Sequence, residues 1–574
     1  MLAKRGLTFS ALLCLILFTS HAQKNIAITN VGLVDVRQGK IIPSATVVIR
    51  DNTIAEITTR RNPKLSKDLT IIDGSGKYLM PGMTDGHIHF FQSGGLYTRP
   101  DAINLTTRIP YHQEVKKGAE SIPDYFRRYL RLGITTIADV GGPMRNFSIR
   151  DSVARANVAP DVLVTGPLFS MVRDEELEIG NDVPILKIST IAQADSLMNT
   201  MLPLKPDYIK IWYIVTPDLP ADKTYPVVKH IAERTHAAGL KLAVHATQLK
   251  TAELAIEAGA DILVHSVDNE EIPATLIRTM RDRNVSYIPT LIVMGNYYKT
   301  FSGRLDFHPQ DLAFANPFFY GSLKDLEVIP TEILPPHVRK LRKHGLPPVM
   351  KKLDSIMALN LRALSDGGVN IVAGTDAGNI GTQHASSFLQ ELIAMENAGL
   401  DRAKVLRSAT INAASAFGRN NSLVEKGRDA DLLLMTKNPL DDLNNLNSIE
   451  LVFVNGKMLR ADTLIRESPE MVVQRQLNAY NARDIDAFMA TYSDDVELFD
   501  FPDKPISKGK EAMRANYASM FTNLKYLHCN IEKRIVIGNK VIDHERVKFN
   551  DQTVQAVAIY EVNNGLITRV TFAK

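Results

Sequence analysis

The sequence predicts an α/β protein whose centre is a (β/α)8 barrel, flanked by a small β-domain drawn from both ends of the barrel and followed by an α+β domain. Three observations carry this. Eight short apolar runs, rich in β-branched residues, alternate with amphipathic stretches over the middle of the chain. Similar strand-forming material lies on both sides of that region. After Glu467-Ser468-Pro469 the pattern changes to helices followed by alternating strands. With 574 residues the chain exceeds one ordinary core, as domains typically hold about 100–200 residues.

Taken in order, Lys4 and Arg5 precede an apolar run from Ala11 to Phe18 and then Ser20-His21-Ala22. Small residues at the last and third-last positions of a short apolar leader are what signal peptidase reads, so residues 1–22 are expected to be a cleaved secretory signal and the protein to be exported, periplasmic or secreted. The run is shorter than the roughly 20 residues a membrane span needs. Cys14 falls within the leader and is followed by Leu15, so the mature chain would keep Cys529 alone, which leaves no internal disulfide. A composition that is 45% hydrophobic and 23% charged, with a net charge of +4, fits a soluble globular protein and gives no reason to expect a nucleic-acid partner.

From Ile26 to Ile57, strand-like runs (Asn30 to Asp35, Ala45 to Ile49, Ile54 to Ile57) are separated by Gly and Asp-Asn turns, and they return as Ala430 to Met435 and Leu451 to Lys457. Residues 23–80 and 420–466 are therefore expected to share one discontinuous β-domain. Between them, residues 81–419 carry the barrel strands: Met83 to His89, Thr135 to Val140, Asp161 to Val164, Tyr208 to Trp212, Leu242 to His245, Ile262 to His265, Ser286 to Pro289 and Asn370 to Asp376. Continuous apolar strands separated by helices read as a parallel sheet covered by helices, and eight is the number that closes a barrel. The stretch from Phe301 to Pro348, rich in Pro, Phe and His, fits neither pattern and is expected to be an insertion over the barrel mouth. Residues 470–574 form the last unit, beginning with a helix from Met471 to Asn481.

Polar residues fall at the C-terminal ends of the barrel strands, where barrel enzymes place catalytic groups. His87 and His89 end the first strand on one face, because side chains alternate along a strand. Lys210 lies on the fourth strand, His245 ends the fifth, His265 the sixth and Asp376 the eighth. A lone His-x-His is a weak signal. Six such groups at one barrel mouth are a strong one, and neutral imidazoles suit zinc. Other readings stay open for two of them: Lys210 as an interior lysine paired with Asp376, and Asp376 as a helix N-cap before Ala377-Gly378.

Pro81-Gly82-Met83-Thr84-Asp85-Gly86-His87-Ile88-His89, Lys210, His245, His265 and Gly374-Thr375-Asp376-Ala377-Gly378 together resemble the amidohydrolase superfamily, binuclear type. The resemblance spans nearly all of residues 24 to 466. Gly133-Ile134-Thr135-Thr136 and Asp139-Val140-Gly141-Gly142 bring it nearest to the branch that holds imidazolonepropionase and prolidase-type dipeptidases. It implies a distorted TIM barrel with a small β-sandwich, and a divalent metal centre, two zinc ions per chain. One ion would be held by His87, His89 and Asp376, the other by His245 and His265, with Lys210, N6-carboxylated, reaching both. Asp376 would then move the proton during hydrolysis of an amide bond in a small cyclic or linear amide, such as a dipeptide or N-acyl amino acid. Tyr213, His384 and Arg145 are candidate substrate contacts, set against a packed aromatic, the better reading for Tyr213, a solvated loop histidine for His384, and a surface ion pair for Arg145. The chain departs from prolidase-like members after the third strand, where Gly166-Pro167-Leu168-Phe169-Ser170-Met171 replaces a Gly-Gly-His segment. His112, His230 and His236 are expected to be structural.

The C-terminal residues resemble the cone-shaped α+β fold of the nuclear transport factor two and ketosteroid isomerase superfamily, on Asn478 to Asp484, Asp494 to Phe499 and Gly509. That fold holds apolar ligands, catalyses proton transfer or forms dimers, so a homodimer through this domain is expected; Asp500 or Asp543 is a candidate acidic group in its cone, against the favoured reading of turn or rim carboxylates. Two alternatives to amide hydrolysis accompany this reading. One is a lactonase, esterase or organophosphate hydrolase using the same centre; the other is a non-enzymatic binding protein that uses the C-terminal domain.

Overall fold

The computed structural model describes residues 25–153, 156 and 158–573, so the N-terminal leader and Cys14 lie outside the described residues. Among the described residues no helix is long and apolar enough to cross a membrane.

Both ends of the barrel do contribute to one sheet. Ile26–Asp35 pairs antiparallel with Lys40–Arg50, which pairs with Thr53–Thr58. On its other side Ile26–Asp35 runs parallel first to Thr70–Asp73 and then to Tyr78–Pro81. Tyr78–Pro81 pairs antiparallel with Leu432–Met435, which arrives from beyond the barrel, and Ile449–Val454 and Lys457–Arg460 complete eight strands. The alternation of the sequence explains one face: Ile28, Val47, Ile49, Leu79, Leu432, Leu434 and Phe453 form one buried cluster.

The barrel strands follow the expected order. Met83–Ile88 pairs parallel with Ile134–Asp139, and that with Asp161–Val164. The third strand breaks at Thr165-Gly166-Pro167 and resumes as Leu168–Ser170, which pairs with Ile209–Trp212. Leu242–His245, Ile262–Val264, Ser286–Ile288 and Asn370–Ile371 then run parallel in turn. The eighth strand is regular over only two residues, yet its continuation meets the first strand: Gly86 N–H donates to Ala373 O at 2.9 Å, Asp376 N–H to His87 O at 2.7 Å and His89 N–H to Ala377 O at 2.8 Å. Glycine is required on both sides of this seam. A Cβ on Gly86 would lie 2.9 Å from Ala373 O, and one on Gly374 2.9 Å from His87 N.

The insertion folds as short helices, including Pro309–Phe314, Pro317–Ser322 and Pro336–His344, around an apolar cluster of Phe307, Tyr320, Leu326 and Val338 that Leu96 joins from the loop after the first barrel strand. Proline at the first turn starts each of these helices, where its missing N–H would be unpaired in any case.

In the C-terminal domain, Ser468 caps Pro469–Ala482 by accepting from Met471 N–H. That helix, Ile485–Met489 and Lys510–Asn523 pack on a six-stranded sheet ordered Lys504–Lys508, Tyr492–Asp500, Leu566–Ala573, Gln552–Asn563, Lys540–Phe549 and Leu527–Ile537. The domain sits on the insertion: Asn478 Nδ2 donates to Pro317 O at 2.7 Å, and His528 Nδ1 lies 3.5 Å from Glu327. Arg128, fully buried, reaches Asp124 at 2.8 Å and Glu467 at 3.6 Å and so ties the barrel to the segment leading into this domain.

Candidate metal centre at the barrel mouth

The ends of the first, fourth, fifth, sixth and eighth strands bring together all six residues singled out at the barrel mouth. His87 Nε2 and His89 Nε2 are 3.4 Å apart, and Asp376 Oδ1 lies 3.3 and 3.2 Å from them. His265 Nδ1 is 3.9 Å from Asp376 Oδ2. The His245 and His265 rings lie 4.5 Å apart, centroid to centroid. Lys210 is buried near enough to Asp376 to feel its charge, with no direct ion pair between the two.

Burial and hydrogen bonding leave these groups with lone pairs free to bind a cation. Burial drives His87 and His245 down to about 3, which keeps both imidazoles neutral with lone pairs to give. His89 Nδ1 donates to Gly141 O at 2.7 Å, which fixes the tautomer and turns the Nε2 lone pair toward Asp376. His265 Nδ1 and Thr290 Oγ1 are 2.9 Å apart. His87 Nδ1, His245 Nδ1 and Asp376 Oδ1 are buried without a hydrogen-bond partner. Burial alone would raise Asp376, but the surrounding histidines hold its carboxyl well below the usual range, as an anion. Neutral imidazoles around one carboxylate, several with unpaired buried atoms, are a donor set suited to a divalent cation. Burial lowers the Lys210 amine to about 7.

Two residues of the cluster sit in left-handed backbone, His265 at φ 74° and Asp376 at φ 60°. Such conformations cost about 1–3 kcal/mol each and persist where the surroundings fix them. Asp85 does part of the fixing. Its carboxylate accepts from Thr375 N–H at 3.0 Å, Thr375 Oγ1 at 2.7 Å and His87 N–H at 3.3 Å, and burial raises it to about 7. Asn379 is another support: Arg99 Nη1 and Tyr297 OH donate to its Oδ1 at 2.6 and 2.7 Å, while its Nδ2 donates to Asp376 O at 3.1 Å. Neither residue was singled out in the sequence, although Asp85 lies two residues before His87 on the same strand and so shares its face.

Above the cluster lies a cavity of about 780 Å³ lined by His89, Lys210, His245, His265 and Asp376 at its floor. Phe91, Leu168, Trp212, Met294, Tyr298, Leu346 and Met357 form apolar walls, and His337 to Pro348 of the insertion close one side. The insertion does border the mouth.

The three expected substrate contacts are held elsewhere. Tyr213 is buried and its OH donates to Ala221 O at 2.7 Å. His384 is buried behind the first strand, with Nδ1 3.0 Å from Tyr129 OH, Nε2 2.9 Å from Gln92 O and its ring stacked on Tyr125. Arg145 pairs with Asp182. None of the three is among the residues lining the cavity. His230 and His236 pair with Asp195 and Asp261, each at 2.9 Å, and His112 is exposed.

Comparison with known proteins gives these features a context. The model of the Amidohydrolase family matches residues 78–459, and that of a SnoaL-like domain matches residues 473–570. A Xaa-Pro dipeptidase solved with methionine bound in its active site aligns over 76% of this chain and 100% of its own, with a TM-score of 0.57 and 20% identity. The ochratoxinase of A. niger aligns over 77% of this chain and 96% of its own, with a TM-score of 0.58 and 16% identity. At these identities the likeness is one of fold. In sequence, an adenine deaminase of Rubrobacter xylanophilus is 34% identical over 61 residues, 11% of this chain and 10% of that enzyme's length.

Proposed function

We propose that this chain, which belongs to the amidohydrolase family, is a hydrolase that cleaves a carbon–nitrogen bond in a small amide carrying a bulky apolar group. The observation that carries the reading is the convergence of four histidines and Asp376 beneath one large cavity with apolar walls. His87, His89 and Asp376 would hold one divalent ion, His245 and His265 a second, and a carboxylated Lys210 both. Zinc suits this donor set. Ions there would lower the pKa of water toward neutrality and polarise the scissile carbonyl.

The chain's own residues supply the rest. Asp376 is held as an anion in the floor of the cavity, so Oδ1 can take a proton from water and return it to the departing nitrogen. Asp85 and Asn379 keep it in place. Phe91, Trp212, Tyr298 and Met357 exclude water and receive the apolar part of the substrate, in a volume within the range of small-molecule sites. Carboxylation of Lys210 needs only carbon dioxide: the neutral amine forms an N–C bond, a C=O π pair moves to oxygen, and the nitrogen proton leaves to solvent.

The finer substrate choice is a dipeptide or N-acyl amino acid with an aromatic or branched side chain. Hydrolysis assays on such amides, set beside lactones and phosphotriesters, test it. Release of the free amine from the amides supports the reading, whereas turnover confined to the esters assigns the centre to the other bond class. Two further parts of the proposal concern the whole protein. It is exported after cleavage following Ala22, which N-terminal sequencing of the mature protein checks by a first residue of Gln23. It is a homodimer through the C-terminal domain.

A further inference from the structure

A second chamber, of about 510 Å³, lies beside the cavity above the candidate metal centre, between the helices Ile292–Phe301, Val349–Asp366 and Ser387–Asn397. Three residues line both spaces: Tyr298 from the first helix, Met357 from the second, and Leu346 from the link that joins the insertion to the second helix. At these points one layer of residues separates the two. Met357 is unbranched and changes shape by rotation about three bonds, and Leu346 is 39% exposed, so rotamer changes are enough to open the partition.

The chamber wall is apolar, with Leu291, Met350, Ala358, Ile393 and Ala394. The polar residues around it are engaged or exposed. Asn296 Nδ2 donates to Thr382 Oγ1 at 3.2 Å, Gln390 Nε2 donates to Asp311 Oδ2 at 2.6 Å, and His308 Nδ1 accepts from Gln310 N–H at 3.2 Å. Lys299, Asp354 and Asn397 are exposed. None of these calls for a polar ligand, and what remains is room for hydrocarbon. Apolar surface is also left open to water along the same path. Met294, in the wall of the first cavity, is 41% exposed, and Val349, between Pro348 of one lining and Met350 of the other, is 51% exposed. Such surface beside a pocket marks a place that takes up apolar matter. Each space alone falls within the roughly 300–1,000 Å³ of small-molecule sites, and the two together exceed it.

We propose that the two spaces form one site, in which the reacting amide lies over the centre and a long unbranched acyl chain runs past Met357 into the second chamber. This rests on the amide-hydrolase reading above and narrows its substrate to long-chain N-acyl amino acids. An acyl chain can fill both spaces at once, which the short side chains of a dipeptide cannot. Hydrolysis breaks the bond between the acyl carbon and nitrogen; the OH of water joins the carbon and its proton the nitrogen, so a fatty acid and an amino acid leave. Each methylene that passes from water into the chamber is worth about fourfold in affinity, so a preference for length follows from burial alone.

The test compares N-acetyl-, N-octanoyl- and N-dodecanoylphenylalanine as substrates of the full chain, read by the phenylalanine released. The kcat/KM is expected to rise at least tenfold from acetyl to dodecanoyl. Ala358→Phe and Ala394→Trp each put a ring into the second chamber from a different helix, so a folding failure in one leaves the other to read. Each should lower the ratio of dodecanoyl to acetyl turnover at least tenfold. Binding is read separately, by titrating the full chain with cis-parinaric acid, a fluorescent long-chain fatty acid that stands for the product, and both substitutions should weaken it at least tenfold. Rates that are flat with chain length, or a length preference that both substitutions leave intact, would overturn the proposal. So would fatty-acid binding that is absent or indifferent to both. Cleavage of none of the three amides, with fatty-acid binding that both substitutions weaken, would support the joined site and count against the amide reading instead.

Discussion

Asp85 Oδ2 accepts a hydrogen bond from Thr375 Oγ1 at 2.7 Å, and this contact joins the first barrel strand to the turn that carries Asp376. Asp85→Ala leaves the Thr375 and His87 amides buried without acceptors, each worth about 1–3 kcal/mol. The expected result is a clear drop in melting temperature together with loss of bound metal. Asp85→Asn, which keeps one acceptor oxygen, should fall between the two proteins. Thermal melts with metal analysis on the same samples check both.

Asp376→Asn preserves size and removes the charge. If Asp376 moves the proton, turnover falls about 10²–10⁴-fold while substrate affinity changes far less. Steady-state kinetics on a cleaved amide measure the split, and unchanged turnover removes the role.

How much of this centre was legible follows from what each residue's geometry depends on. His87, His89, Lys210, His245 and His265 lie on or at the ends of apolar strands, and strand position alone places them on one face. The eighth strand was harder. Its regular part stops at Ile371, and Asp376 reaches the cluster through a left-handed turn held by His87 O and Asp85, residues nearly three hundred positions away. Tyr213, His384 and Arg145 were legible as chemistry but not as geometry. Their partners, Ala221, Tyr129 with Gln92, and Asp182, are set by packing that no local pattern encodes. In the C-terminal domain the inward alternation that points to Asp543 points equally to Glu545, and only Arg534, paired with Asp543 at 2.7 and 2.6 Å, leaves Glu545 as the one that faces that domain's cavity without a counter-charge.

Glu545 also predicts a pH effect on stability. Burial raises its carboxyl to about 7 in the folded chain, from the ordinary glutamate value of 4.5. Below the lower value both states are protonated and the group costs nothing. As pH rises through this window the unfolded chain loses the proton first, so stability falls, and the loss is complete above the folded value. Glu545→Gln should therefore melt at a progressively higher temperature relative to the parent from pH 4.5 to pH 8. Calorimetry at both ends of the range checks the sign.

The C-terminal domain covers part of the insertion through Asn478 and Pro317 and is the proposed dimer surface. The full chain should scatter light as twice the mass of one chain, and a chain ending at Ser468 as a single copy. A truncated chain that remains dimeric would move the interface to the barrel.

Elemental analysis of the purified full chain and of Lys210→Ala decides whether Lys210 helps hold a pair of ions. Two zinc ions per chain are expected, both lost or sharply reduced in Lys210→Ala, with cleavage of the amide lost alongside. Absence of divalent metal from an active enzyme, or metal content that Lys210→Ala leaves unchanged, would contradict that expectation.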